Sequence, residues 1–147
     1  MARFEHTIEV RAPLEKAFNF IVDGTNSSKW HPSVRKAESL GEGPLQVKSR
    51  LRLETVLGGR IYVWDQEVVE LTPNRSFRDR AITGPFKKFE DWASFEKTES
   101  GTKWTFGLEY ALPGTIFGKI LDILIIRRLI AERTLAAMNR AKEILER

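Results

Sequence analysis

The 147-residue sequence contains no cysteine and only two histidines. The absence of cysteine excludes disulfide bonds, thiolate nucleophiles and cysteine-ligated zinc or iron–sulfur clusters. His6 and His31 are well separated in the sequence and give little support for a histidine metal site. We expect His6 on the apolar face of the first strand, and His31 at the surface or at a cavity mouth. The sequence therefore predicts no bound metal and no other cofactor.

Long apolar runs and strong charge are absent as well. The longest apolar stretch, residues 116–130, is interrupted by charged side chains, unlike a transmembrane helix. The first residues alternate between apolar and polar side chains and show no apolar core of a secretory signal. The net charge is only +4, and the Lys and Arg residues form no basic arm. These features predict a cytoplasmic protein that does not bind nucleic acid.

What the sequence does contain is a succession of alternating segments that are typical of β-strands. The first strand is predicted where apolar residues alternate with polar ones, at Phe4, His6, Ile8 and Val10. Six more strands are predicted at about 34–40, 45–57, 60–71, 76–83, 86–97 and 102–112. A short amphipathic helix after Pro13 and a helical turn over 25–30 separate the first two strands. Because no linker or repeat is visible, residues 1–147 are expected to form one domain.

One long helix is predicted over Thr115–Glu146, where apolar residues recur at spacings of three and four. Gly118 weakens its first turns, so we expect a bend or a separate turn around Thr115–Lys119 and a main helix that ends near Leu145. Six strand spacings of about 4.8 Å make a sheet about 29 Å wide, whereas a helix is only about 10–12 Å wide. A sheet that curls around one helix leaves an apolar hollow, where we expect the functional site.

The first half of this helix is apolar on nearly all sides, which is more than one buried face requires. Packing against the short N-terminal helices would explain this pattern. The alternatives are a homodimer surface, a lid over the cavity mouth, or a membrane-surface contact aided by Arg127 and Arg128. The lid hypothesis places the segment before Arg127 over the mouth of the cavity.

The turns predict which side chains face the hollow. Gly58-Gly59 is typical of a two-residue hairpin. It pairs three sets of residues: Leu57 with Arg60, Leu53 with Trp64, and Leu51 with Gln66. Through residues 72–75 and a tight Gly84-Pro85 turn, the inner face continues with Val68, Glu70, Phe77, Asp79, Ala81, Phe86, Glu90 and Trp92. The outer face would then pair Glu67 with Arg80 and Arg78 with Asp91.

The last strand conflicts with this register. Simple pairing of the last two predicted strands across residues 98–101 sets the aromatic face of the last strand beside Phe89 and Phe95 rather than beside Trp92. One β-bulge within 86–97 or 102–112 would resolve the conflict. The less favoured alternative is a three-residue turn at Gly58–Arg60, which turns four charged residues inward: Glu67, Arg78, Arg80 and Asp91.

Several segments resemble those of a known superfamily. The first strand is followed by Ala12-Pro13-Leu14-Glu15-Lys16-Ala17-Phe18 and by Ser28-Lys29-Trp30-His31-Pro32, which is similar to the opening of START-like, helix-grip proteins. Later similarities are Val69–Arg75, Gly84-Pro85-Phe86, and Gly101–Trp104 leading to Glu109–Pro113. Together they resemble the polyketide cyclase/dehydrase and lipid-transport branch, with its birch-pollen-allergen-like fold. The resemblance implies an α+β helix-grip fold, in which a seven-stranded curved antiparallel sheet wraps around the long C-terminal helix and two short helices lie between strands 1 and 2.

This resemblance does not imply one activity, because the branch includes lipid carriers, hormone-binding proteins, ubiquinone-binding proteins and cyclases. We expect the cavity to bind or transport a hydrophobic or amphipathic small molecule that is lipid-, quinone- or polyketide-like. The predicted ligand-binding residues are Trp30, Trp64, Gln66, Phe77, Trp92, Phe106, Tyr110 and Leu124.

Two other functions stay open at the sequence level. In a polyketide cyclase/dehydratase-type enzyme, Asp79 or Glu90 would act as a general acid in the same cavity. These carboxyls are predicted to lie opposite each other, and their repulsion would keep one of them protonated near neutral pH. The third possibility is an assembly or interaction factor whose helix docks on a partner. No nucleophile–base set or phosphate-binding loop is visible, so binding is favoured.

Overall fold

The computed structural model describes residues 2–112 and 120–147. In chain order its elements are β1 (Ala2–Val10), α1 (Leu14–Val22), a 3₁₀ turn (Gly24–Asn26), α2 (Ser27–Trp30), β2 (Val34–Ser39), β3 (Arg50–Leu57), β4 (Arg60–Thr72), β5 (Ser76–Ala81), β6 (Lys88–Lys97), β7 (Thr102–Ala111) and α3 (Ile120–Leu145). The expected end of the long helix at Leu145 is confirmed. The expected bend at Thr115–Lys119 includes residues 115–119, which lie outside the described residues.

The seven strands form one antiparallel sheet in the order β1-β7-β6-β5-β4-β3-β2. The sheet curves around α3, and α1 and α2 lie between β1 and β2 in the chain, so the predicted helix-grip fold is confirmed. One strand starts later than expected, because β3 begins at Arg50 and residues 45–49 belong to the loop that precedes it.

The main core lies between the concave face of the sheet and the second half of α3. Ala137, Met138 and Ala141 are fully buried there and belong to the same apolar cluster as Phe95 and Trp104. Burying one such large apolar side chain contributes about 1.5–3 kcal/mol to stability. The small alanine side chains allow close approach of the helix to the sheet, because protein interiors pack without large voids.

The hairpin between β3 and β4 has the predicted register. Gly58 and Gly59 both have positive φ, 56° and 80°, as the two-residue turn requires. The three predicted pairs across this hairpin are confirmed. The β-bulge lies in β4 at Val69, and not in β6 or β7 as expected. It sets Glu70 opposite Arg78, so the prediction that Glu70 faces inward is wrong.

The predicted register between β5 and β6 is wrong by one residue. The connection between these strands has six residues instead of a tight two-residue turn, and it pairs Asp79 with Asp91 rather than with Glu90. A shift of one residue turns every side chain of a strand to the opposite face. Asp91 therefore faces inward, whereas Glu90 and Trp92 face outward. The simple pairing of β6 with β7 across residues 98–101 is confirmed.

Trp92 packs on the convex face of the sheet, over Gly107 of β7. The guanidinium groups of Arg3 and Arg78 lie 4.8 and 4.9 Å from the centre of its rings. Its indole Nε1–H donates a hydrogen bond of 2.8 Å to Glu5. Each of these cation–π contacts contributes about 0.5–1 kcal/mol at an exposed site. Trp92 thus links β1, β5 and β6 from outside and takes no part in the cavity.

Candidate functional site

A cavity of about 110 Å³ lies between the concave face of the sheet, α2 and the middle of α3. We call it the inner cavity. Its wall is mainly apolar and includes Leu53, Ala93, Leu108 and Ile130. A water molecule needs at least about 10–15 Å³, so this space holds several molecules of that size. The predicted hollow between helix and sheet is therefore present.

The structure brings part of the predicted ligand-binding set together at the inner cavity. Its wall includes Trp30, Trp64, Gln66, Phe77 and Phe106. The other three predicted residues lie elsewhere. Trp92 is on the convex face, Tyr110 is buried with its ring centroid 5.6 Å from that of Phe86, and Leu124 on α3 is 51% exposed. A ligand-binding role for the residues of the wall stays a prediction.

Two carboxyl groups and one amide form the main polar cluster of the inner cavity. Asp79 of β5 lies opposite Asp91 of β6, and the Gln66 amide donates a hydrogen bond of 3.4 Å to Asp91 Oδ2. Burial, and then the charge of Asp91, raise the pKa of Asp79 well above its usual range. Burial also raises the pKa of Asp91, while hydrogen bonds from Asp79 and Gln66 oppose that rise. The raised pKa favours the protonated form of Asp79, which can share its proton with Asp91.

Several polar atoms on residues of the cavity wall are fully buried and have no hydrogen-bond partner among the described residues. They are Trp30 Nε1, Ser33 Oγ, Thr55 Oγ1, Trp64 Nε1 and Asp79 Oδ1. A buried polar group without a partner costs about 1–3 kcal/mol. An indole N–H can only donate and a hydroxyl can also donate, whereas the single proton of a neutral Asp79 carboxyl is already shared with Asp91. The wall is thus rich in donors and suits a molecule that carries hydrogen-bond acceptors.

His31 lies in the same wall and is uncharged. Burial, and then the positive charge of Arg133, lower its pKa to about 4. Its Nδ1 accepts a hydrogen bond of 3.2 Å from the backbone N–H of Ser33. The neutral ring therefore carries its proton on Nε2. His31 is half-buried, with its side chain in the wall of the inner cavity, and its expected position at the surface or at a cavity mouth stays a prediction. His6, in contrast, is exposed on β1.

The described residues contain no metal-binding group. Within 2–112 and 120–147, no three His, Asp or Glu side chains converge as metal ligands would. The same residues contain no helix whose length and apolar character would allow it to cross a membrane.

One protein family accounts for the whole arrangement. Residues 1–146 match the family model described as polyketide cyclase / dehydrase and lipid transport. The chain belongs to this family. No curated protein sequence matches the chain significantly, but many solved structures share its fold.

Three of these structures are compared with this chain by sequence identity, coverage and TM-score. The Zhui aromatase/cyclase from Streptomyces sp. R1128 is 19% identical, with a TM-score of 0.85 over 99% of this chain and 93% of its own. A START superfamily protein from Mycobacterium smegmatis is 20% identical, with a TM-score of 0.80 over 99% and 98%. The protein TTHA0849 from Thermus thermophilus is 23% identical, with a TM-score of 0.79 over 97% and 94%. This polyketide cyclase/dehydrase-family chain therefore has the fold of these proteins.

Sequence reasoning missed several polar residues of the site in this family member, among them Asp91, Ser33 and Thr55. Asp91 was expected on the outer face, and neither Ser33 nor Thr55 was identified as part of the cavity. A signal for Asp91 was present, because simple pairing across residues 98–101 already sets Asp91 on the face of Phe89 and Phe95. Thr55 shares the face of Leu53 in β3, so strand alternation would have identified it. Ser33 lies in a loop and had no such signal.

Proposed function

We propose that this protein binds a small, mainly apolar molecule whose polar group is a hydrogen-bond acceptor, with the inner cavity as its site. The observation that supports this proposal is the concentration of unpartnered donors in an otherwise apolar wall. Lipid-, quinone- and polyketide-like molecules combine apolar surface with carbonyl or carboxyl oxygens. Each satisfied donor would recover part of the cost of its burial.

The size of the cavity limits what it can enclose. Its volume of about 110 Å³ is smaller than an engineered cavity of about 150 Å³ that binds benzene. A single ring is therefore already at the limit of the inner cavity, and a substituted ring requires its wall to move. The carbonyl group of such a ring would accept a hydrogen bond from Trp64 or Thr55.

Isothermal titration with acetophenone and with cumene tests this proposal, because the two molecules have nearly the same shape and only acetophenone has a carbonyl. We expect Trp64→Phe and Thr55→Val to weaken acetophenone binding about two- to tenfold, the effect of about 0.5–1.5 kcal/mol per hydrogen bond. Cumene binding should not change. Trp92→Phe and Thr105→Val remove the same groups from the convex face and are the matched controls. If neither probe binds, or if all four variants behave alike, the proposal is wrong.

A second candidate function is supported by the Asp79–Asp91 pair. A neutral carboxyl in an apolar cavity can act as a general acid, which contributes about 10²–10⁴-fold to a reaction rate. In a dehydratase reaction Asp79 would protonate a departing β-hydroxyl group while the α-proton of the ketone leaves to a base. The products would be an unsaturated ketone and water, as in a polyketide cyclase/dehydratase-type enzyme.

Dehydration of 4-hydroxy-4-phenylbutan-2-one, followed by the absorbance of the conjugated product, tests this second function. We expect Asp79→Asn to lose about 100-fold or more of the rate while it still binds acetophenone. Glu90→Gln changes the other candidate acid, which lies on the outer face, and should keep the full rate. Equal rates for the two variants, or no dehydration by the wild-type protein, would exclude this role for Asp79.

A further inference from the structure

A second and larger space adjoins the inner cavity. It has a volume of about 810 Å³ and lies between the 3₁₀ turn after α1, the inner face of β4 and the loop that joins β2 to β3. We call it the outer groove. The loop contributes three apolar side chains that are 40–48% exposed: Leu40, Leu45 and Val47. A set of exposed apolar side chains around one concave space marks a binding site more often than scattered single ones do.

The inner cavity and the outer groove share part of their walls. Val22, Gly24, Leu51, Gln66, Phe77 and Asp79 line both spaces. The two are therefore neighbouring chambers, with Gln66 and Asp79 at their boundary.

Leu51 is an apolar side chain at this boundary. It packs directly on Gly24, where an added Cβ would lie only 3.3 Å from Leu51 Cγ. A leucine side chain can change rotamer in a short time, whereas the backbone of the sheet cannot move aside. The passage between the two chambers therefore depends on a flexible side chain.

The volumes of the two chambers indicate that a ligand of ordinary size would occupy both. Small-molecule sites generally have volumes of about 300–1,000 Å³. The inner cavity alone, at about 110 Å³, is below that range, and the outer groove is within it. A ligand larger than one ring would extend past Leu51 into the outer groove, because Leu51 lies in the wall that the two spaces share.

We propose that the outer groove is a second subsite, which holds the aliphatic chain of a ligand whose carbonyl-bearing head occupies the inner cavity. This inference rests on the proposed function. It adds that the ligand is an extended molecule with a compact head and a flexible apolar chain, and that the chain lies beneath Leu45 and Val47. It also places the route of entry under the loop between β2 and β3.

A series of phenyl alkyl ketones tests the second subsite, from acetophenone to butyrophenone, hexanophenone and decanophenone. The phenyl ketone head stays the same, and only the chain lengthens. In the wild-type protein we expect the dissociation constant to fall about two- to fourfold per added methylene until the groove is filled. Val47→Asp should remove most of this dependence on chain length and leave acetophenone binding unchanged.

The convex face provides a matched control for this experiment. Val63 is 52% exposed and Val47 is 48% exposed, so Val63→Asp makes the same change at equal exposure away from the groove. It should keep the wild-type dependence on chain length. If acetophenone binds but chain length has no effect, or if both variants respond alike, the second subsite is wrong and the inner-cavity proposal stands. If acetophenone itself does not bind, both proposals are wrong.

Discussion

Replacing Asp79 by Asn should change how the stability of the protein depends on pH. In the unfolded chain an aspartate titrates at about 3.9. In the folded protein, burial and the neighbouring Asp91 raise the pKa of Asp79 well above that value. Between the two pKa values the folded state binds more protons than the unfolded state, so the free energy of unfolding falls as pH rises. Above the folded-state pKa this loss is complete.

The size of the effect follows from the number of protons involved. One proton that is bound only in the folded state changes the free energy of unfolding by at most about 1.4 kcal/mol per pH unit. Asn has nearly the same shape as Asp and does not ionise. Asp79→Asn should therefore remove this decline and become more stable than the wild-type protein as pH rises.

Urea unfolding at intervals between pH 4.5 and 8.5 measures the effect. The quantity to plot is the difference in the free energy of unfolding between Asp79→Asn and the wild-type protein, because contributions from groups that do not interact with Asp79 cancel in it. We expect this difference to grow with pH and then to level off. A flat difference for Asp79→Asn would show that its carboxyl is already ionised in the folded protein, and the reasoning would fail.

Three further predictions concern other parts of the fold. His31 has a folded-state pKa of about 4 and an unfolded value of about 6.5, so acidification through that interval should destabilise the wild-type protein by about 3 kcal/mol; His31→Gln should remove this loss in urea unfolding. Gly107→Ala places a methyl group against the rings of Trp92, and thermal unfolding should show a loss of about 1–3 kcal/mol from overpacking. Leu124→Glu and Ile125→Glu change side chains that are 51% and 54% exposed, so stability should stay within about 0.5 kcal/mol. If size exclusion shows a dimer in the wild-type protein that is lost in these variants, the predicted helix contact is supported. A severe loss of stability would instead show that these side chains belong to the core.

Much of the fold could be predicted from local sequence signals. The Gly58-Gly59 turn fixed the register of β3 and β4, because a two-residue hairpin allows only one pairing of its flanking residues. The long helix followed from its apolar spacing, and the helix-grip architecture followed from the order of the elements. Trp64 and Gln66 were therefore placed correctly on the inner face.

The remaining part of the site could not be predicted in the same way. The bulge at Val69 and the six-residue connection between β5 and β6 each change the register by one residue. Both depend on tertiary packing rather than on strand alternation, since either face of β6 carries apolar and charged residues. Asp91 was therefore predicted on the outer face and Trp92 on the inner face, which is the reverse of their positions in the structure. The predicted pairing of Asp79 with a second carboxyl was correct in kind, but its partner is Asp91 and not Glu90.

The alternation along β6 has a consequence for any comparison with distant relatives. Adjacent positions in this strand serve unrelated purposes, with Asp91 in the cavity wall and Trp92 under two arginines on the outside. Insertion or loss of a single residue before β6 would exchange the two unless the loop absorbed it. At the 19–23% identity of the three structures compared above, an alignment gap can easily be misplaced by one position. Chemical roles should therefore be transferred between such proteins only after the side-chain direction in this strand has been matched in three dimensions.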